Sequence, residues 1–90
     1  MSAKEMFEKL GYKQSKPENV PVLFYVREVN SCEEIIFDLK YKKIYKEIDG
    51  ELTEITLDEL KAINQQIEEL GWYERWNKTR WWQFYLFLYT

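Results

Sequence analysis

Apolar residues recur at helical spacing near both ends of residues 2–72 and at every second position between them, so the chain predicts helix, strands, helix. In the first segment Ser2 and Glu5 have the spacing of a capping box, in which hydroxyl and carboxylate each satisfy a free backbone N–H. Met6, Phe7 and Leu10 follow at helical intervals. Gly11 is placed to end the helix in the left-handed conformation, and Tyr12 falls where an apolar residue packs back on Phe7. The second helix repeats the design, with Thr56 and Glu59 as the capping box and Ile55 and Leu60 as a hydrophobic staple. Asp58 and Glu59 suit the first turn, where the helix dipole favours acids. Leu60, Ile63, Ile67 and Leu70 form the expected buried stripe, Gly71 the stop, and Trp72 the residue folding back on Ile67.

Between the helices the period falls to two. Val22-Leu23-Phe24-Tyr25-Val26 follows Pro21 and reads as a strand. Asn30, Ser31 and Cys32 read as a turn. Ile35, Phe37 and Leu39 then alternate with Ile36, Asp38 and Lys40. A third strand carries Ile44 and Ile48, with Lys46 between them as a mismatch. Asp49-Gly50 signals a hairpin turn, or a bulge before a short segment ending at Ile55. Gln14 to Pro21, with two prolines, reads as a loop crossing over the sheet.

The last nineteen residues hold nine of the sixteen aromatics. From Trp81 to Tyr89 there is no charge. As a strand, this run puts Trp82, Phe84, Leu86 and Leu88 on one face, and Trp81, Gln83, Tyr85, Phe87 and Tyr89 on the other. As a helix it would be apolar all round, so the strand reading is preferred. Residues 72–80 would be the connection.

The expectation is an α+β fold with two helices packed on one face of a three- to four-stranded antiparallel sheet. Residues 1–72 form a single domain, and residues 73–90 an aromatic C-terminal tail, read as an added strand packing on that domain or on a neighbouring subunit. The expected core is Phe7, Leu10, Phe24, Val26, Ile35, Phe37, Leu39, Ile44, Leu60, Ile63, Ile67 and Leu70.

Composition narrows the chemistry. Among 90 residues there is no histidine and one cysteine, Cys32, which removes His-based acid–base catalysis, Ser-His-Asp triads, zinc clusters and an intramolecular disulfide. The three glycines are used by caps and a turn, leaving none for a phosphate-binding loop. Asp49, Glu51, Glu54, Asp58 and Glu59 could attract a hard cation but lack EF-hand spacing, and read as a solvated acidic rim. The chain is therefore expected not to be an enzyme and to hold no cofactor or metal. The charged N-terminus gives no secretory signal, and the longest apolar run is about half of the roughly 20 residues a transmembrane helix needs. A cytoplasmic location follows.

Charge is unevenly distributed. Lys40, Lys42, Lys43 and Lys46 cluster; Glu47 to Glu69 holds eight acids against Lys61. The tail has three cations interleaved with aromatics: Arg75, Trp76, Lys78, Arg80, Trp81 and Trp82 are the candidate partner-binding residues. They suit a protein partner or self-association with the acidic part of the chain. They also suit single-stranded nucleic acid, whose bases stack on rings and whose phosphates follow cations. The acidic whole, with pI ≈ 5.0, weighs against nucleic acid.

The stretch Glu5-Met6-Phe7-Glu8-Lys9-Leu10-Gly11-Tyr12 resembles small uncharacterised proteins of phages and prophages of low-GC Gram-positive bacteria. Residues Ile55 to Asn64, followed by Glu69-Leu70-Gly71-Trp72, are similar to the closing helix of such proteins. The resemblance covers residues 2–72 in outline and leaves the tail uncovered. It implies a phage or prophage origin more than an activity, and carries no catalytic residue with it; the missing catalytic groups and the aromatic surface lead to the expectation of a non-enzymatic protein-interaction module, a phage accessory protein in the bacterial host cell.

Overall fold

Both capping boxes form, and they fix where the helices begin. The computed structural model describes residues 1–72. Helix α1 spans Ala3–Lys9 and helix α2 spans Leu57–Glu69; the Ser2 and Thr56 side chains accept from the N–H groups of Glu5 and Glu59. Helix α1 closes in a full Schellman turn. The Gly11 N–H donates to Glu8 C=O at 2.9 Å and the Tyr12 N–H to Phe7 C=O at 2.9 Å. Gly11 has φ +92°, and a Cβ there would lie 3.2 Å from Arg27 Cδ, so both the turn and the neighbour call for glycine. The Tyr12 ring meets Phe7 edge-on at 5.9 Å, as the sequence predicts.

Among the described residues the sheet is an antiparallel meander of five strands in the order β1-β2-β3-β4-β5: Lys13–Ser15, Val22–Glu28, Cys32–Asp38, Lys43–Ile48 and Glu51–Leu52. Asp49 and Gly50 both have positive φ, 50° and 86°, and join β4 to β5 in a two-residue hairpin. The α+β architecture is the expected one, with more strands than expected. Gln14 and Ser15 do not start a crossover loop. They pair with Tyr25 and Phe24 in a hairpin, and Gln14 Nε2 donates to Tyr25 Oη at 3.1 Å. A three-residue polar strand has too little alternation to be visible in a sequence.

Both helices lie on one face of the sheet. The core is Ala3, Phe7, Tyr12, Leu23, Tyr25, Ile35, Phe37, Ala62 and Ile63. Expected core residues Phe7, Ile35, Phe37 and Ile63 are there; Leu10, Leu39, Ile44, Ile67 and Leu70 are partly buried against it. Two expectations fail. Strand β2 turns Leu23 and Tyr25 inward, not Phe24 and Val26. Helix α2 buries Glu59, Ala62, Ile63 and Gln66, and leaves Leu60 44% exposed and its intended staple partner Ile55 40% exposed. Trp72 tilts against Phe37, with ring centroids 6.4 Å apart. The expected tail strand, residues 81–89, lies outside the described residues.

Candidate functional site

Lys46 is the mismatch in β4, and the register explains it. Gln14, Tyr25, Ile35 and Lys46 form one row across four strands, on the face that meets the helices. Lys46 is 5% exposed there, so its ammonium needs an anion. Glu59, 2% exposed, supplies it from the first turn of α2: Lys46 Nζ lies 3.0 and 3.1 Å from the two carboxylate oxygens. Glu59 is thus no member of an acidic rim, and Lys46 no member of a solvated basic cluster.

The Glu59 carboxylate is fully engaged. It accepts from Thr56 N–H at 2.9 Å and from Tyr12 Oη at 2.5 Å, and Arg27 Nη2 stands 3.6 Å away. Arg27 is fixed in turn: its Nε donates to Glu33 directly opposite on β3, its Nη1 donates to Leu10 C=O at 2.7 Å, and its Cζ sits 4.4 Å from the centre of the Tyr12 ring. Two cations face two carboxylates, and among the described residues no buried side-chain polar atom lacks a partner. Beside this network the Tyr25 hydroxyl donates to the buried amide oxygen of Gln66. The polar interior ties α2 to β4, β2 and the end of α1.

Electrostatics move these groups away from proton transfer at neutral pH. Burial would push the Glu59 carboxyl up, but the Thr56 N–H, the Tyr12 hydroxyl and Lys46 outweigh it and hold it below its ordinary 4.5. Burial first, then the bond to Glu59, pushes the Tyr12 hydroxyl above the usual tyrosine range. Arg27 likewise holds Glu33 low. Cys32, whose thiol donates to Glu34 at 3.4 Å, is pushed up by that bond and is a poorer nucleophile for it. Among the described residues no three His, Cys, Asp or Glu side chains are grouped to hold a metal ion, and no helix is long and apolar enough to cross a membrane.

A pH dependence follows from the two depressed carboxyls. Each binds its proton more readily in the unfolded chain, so stability is fully present above the unfolded value near 4.5 and is lost as pH falls through the folded values. Thermal melts between pH 7 and pH 3 should show a plateau above about 4.5 and a falling Tm below it. Glu59→Gln should flatten that fall; an unchanged profile would contradict the role given to this carboxylate.

The opposite face of the sheet has a different character. One row there is Ser15, Phe24, Ile36 and Tyr45, flanked by Val22 and Val26; Ile36 is buried, and Val22, Phe24 and Val26 are half-buried. Tyr45 is 36% exposed at the row's end. The next row places Glu34 directly opposite Glu47, with Leu52 beyond it at 74% exposure. Among the described residues neither Glu34 nor Glu47 is in an ion pair. An open depression of about 680 Å³ runs along Lys43, Ile44, Tyr45, Glu47 and Leu52. Sequence reasoning missed this surface because it assigned Phe24 to the core. The sequence-derived candidates Arg75, Trp76, Lys78, Arg80, Trp81 and Trp82 lie outside the described residues. Comparison with protein families, with characterised proteins and with solved structures found no match to the chain.

Proposed function

We propose that this chain is a non-enzymatic protein-interaction module, of the accessory kind found in phages and prophages, acting in the cytoplasm of a bacterial host. The observation that carries the reading is the end of the outer sheet face, where Tyr45 and Leu52 stand exposed beside the half-buried Phe24 and the buried Ile36, on the side away from both helices. An apolar row bordered by charge is the usual composition of a protein-binding surface. The ionisable groups of the interior support the same reading, since each is spent on another and the net effect is scaffolding. Ten Lys and Arg against fifteen Asp and Glu in residues 1–72 disfavour phosphate-rich partners for this domain.

The test compares the full chain with Tyr45→Lys, both immobilised and exposed to lysate of a low-GC Gram-positive host. Protein retained by the first should fall by more than about tenfold with the second, the scale of a lost aromatic anchor. Equal retention by both would remove the outer face from the reading. Quenching of tryptophan emission by single-stranded oligonucleotide at low salt, with no protein retained, would replace the reading with nucleic-acid binding.

A further inference from the structure

Strand β4 is paired along its whole length by β3, but β5 covers only its second half. Thr53 N–H donates to Lys46 C=O at 2.9 Å, so the Lys46 backbone faces the β5 side. Backbone groups alternate sides along a strand, so Ile44, two residues earlier, turns its N–H and C=O the same way. Among the described residues no backbone group pairs with Ile44 there. The depression along Lys43, Ile44, Tyr45, Glu47 and Leu52 borders this open lane, with Tyr45 and Leu52 exposed beside it. An edge with free ladder groups is a template for another strand. The opposite edge, β1, is guarded: it is three residues long, Lys13 and Lys16 are exposed, and Pro17 follows.

Charge defines what the lane would take. The turn leading into β4 carries Lys40, Lys42 and Lys43, all exposed, and none is in an ion pair among the described residues. Asp38 Oδ1 is spent on the turn itself, accepting from the N–H groups of Lys40 and Tyr41 at 3.0 Å each. Lys40 and Lys43 Nζ lie 5.2 and 5.9 Å from the centre of the Tyr41 ring, so the cations are gathered around one exposed aromatic. A segment running antiparallel to β4, in line with β5, would point its C-terminal end at these lysines. Its residue opposite Tyr45 would set a side chain between Tyr45 and Leu52. The next residue would exchange two backbone bonds with Ile44, and the residues after that would meet Lys43 and the turn. We propose that the β4 edge accepts an added strand from a protein partner, an extended segment in which an apolar residue is followed two positions later by acidic ones. This rests on the interaction reading above and names the chemistry of the partner. Backbone bonds supply affinity in such a mode, and the alternate side chains supply specificity.

Backbone-amide NMR on the full-length chain tests this with a synthetic peptide, acetyl-Phe-Thr-Glu-Glu-amide, its threonine designed to face Ile44. Titrated into the millimolar range, the peptide should shift the Ile44 N–H signal and slow its exchange with solvent. Methylating the threonine nitrogen removes the donor to Ile44 C=O and should weaken binding about tenfold. Replacing both glutamates by lysine should weaken it similarly, and Lys40→Glu with Lys42→Glu in the protein should reverse that preference. Both substitutions lie in the exposed turn, outside the ladder, so the sheet is kept. An Ile44 amide that exchanges slowly without peptide would mean that the chain itself fills the lane, and protection that rises with protein concentration would put a second copy there; either overturns the proposal. Equal binding of the N-methylated peptide would also overturn it, since the lysines would then be reading charge alone, as they would with inorganic phosphate. No Ile44 response, alongside capture of a host protein that still depends on Tyr45, would remove the added strand and leave the interaction reading standing.

Discussion

Lys46→Met should destabilise the domain by about 3–5 kcal/mol, because it leaves Glu59 as a buried anion without its ammonium. Total stability for a domain of this size is on the order of 5–15 kcal/mol, so the loss would be a large share of it. Methionine fills nearly the same volume, which keeps the change electrostatic rather than a cavity effect. Adding Glu59→Gln should restore most of the loss. The amide oxygen can still accept from Thr56 N–H, and the amide N–H can donate to Tyr12 Oη in place of the bond that the carboxylate accepted, while the charge that Lys46 faced is gone. Glu59→Gln alone should cost more than the pair together, since Lys46 then keeps its charge at 5% exposure without a counter-ion. Urea unfolding of the three variants yields the coupling energy directly. Losses that simply add would mean that Lys46 and Glu59 do not act as a unit.

That network shows how far the sequence reaches. The capping residues Ser2, Glu5, Thr56 and Glu59, both helix-ending glycines and the Asp49-Gly50 hairpin are local signals, and each appears where expected. Lys46 was legible as an anomaly, a cation in the apolar alternation of β4. Its answer, Glu59, was legible only as a helix cap. The carboxylate performs both tasks because one of its oxygens can serve the backbone while both face the ammonium. Nothing in linear spacing announces that, since the two residues meet only after β5 and the following turn fold back.

The same pairing rotates α2. A stripe of Leu60, Ile63, Ile67 and Leu70 would bury more hydrocarbon, but drawing Glu59 inward turns the helix to present Ala62 and Gln66. Ala62 and Ala3, both fully buried, are small enough for the two helices to approach closely, and Glu69 seals their contact by accepting from Ala3 N–H at 2.7 Å. Strand β2 posed a different ambiguity. Five successive apolar residues from Val22 to Val26 give both parities an apolar face, so periodicity cannot choose. The choice falls to the hydroxyl of Tyr25, which finds Gln14 and Gln66 inside, and sends Phe24 to the outer face. The candidate binding surface is thus a by-product of satisfying one buried hydroxyl.

Phe7→Ala is the second large expected effect, about 3–5 kcal/mol lost. Phe7 is fully buried and touches three rings at once: it stacks on Tyr25 with centroids 3.8 Å apart and meets Tyr12 and Phe37 edge-on at 5.9 and 6.3 Å. The residues around the void cannot close it readily. Tyr12 and Tyr25 are anchored by their hydroxyls to Glu59 and Gln66, so collapse toward the cavity would strain the polar network. Phe7→Leu separates the contributions. Leucine keeps most of the burial and forfeits the ring contacts, each worth roughly 0.5–1.5 kcal/mol beyond area. It should therefore fall between the natural chain and Phe7→Ala. The alanine variant should also flatten the acid sensitivity, because a loosened Tyr12 gives the Glu59 carboxylate a weaker donor and brings its folded value closer to the unfolded one. Denaturant unfolding at pH 7 and pH 4 measures both effects. Equal losses for leucine and alanine would place the value of Phe7 in its rings alone, and a loss under about 1 kcal/mol for alanine would show that the anchored tyrosines can move after all.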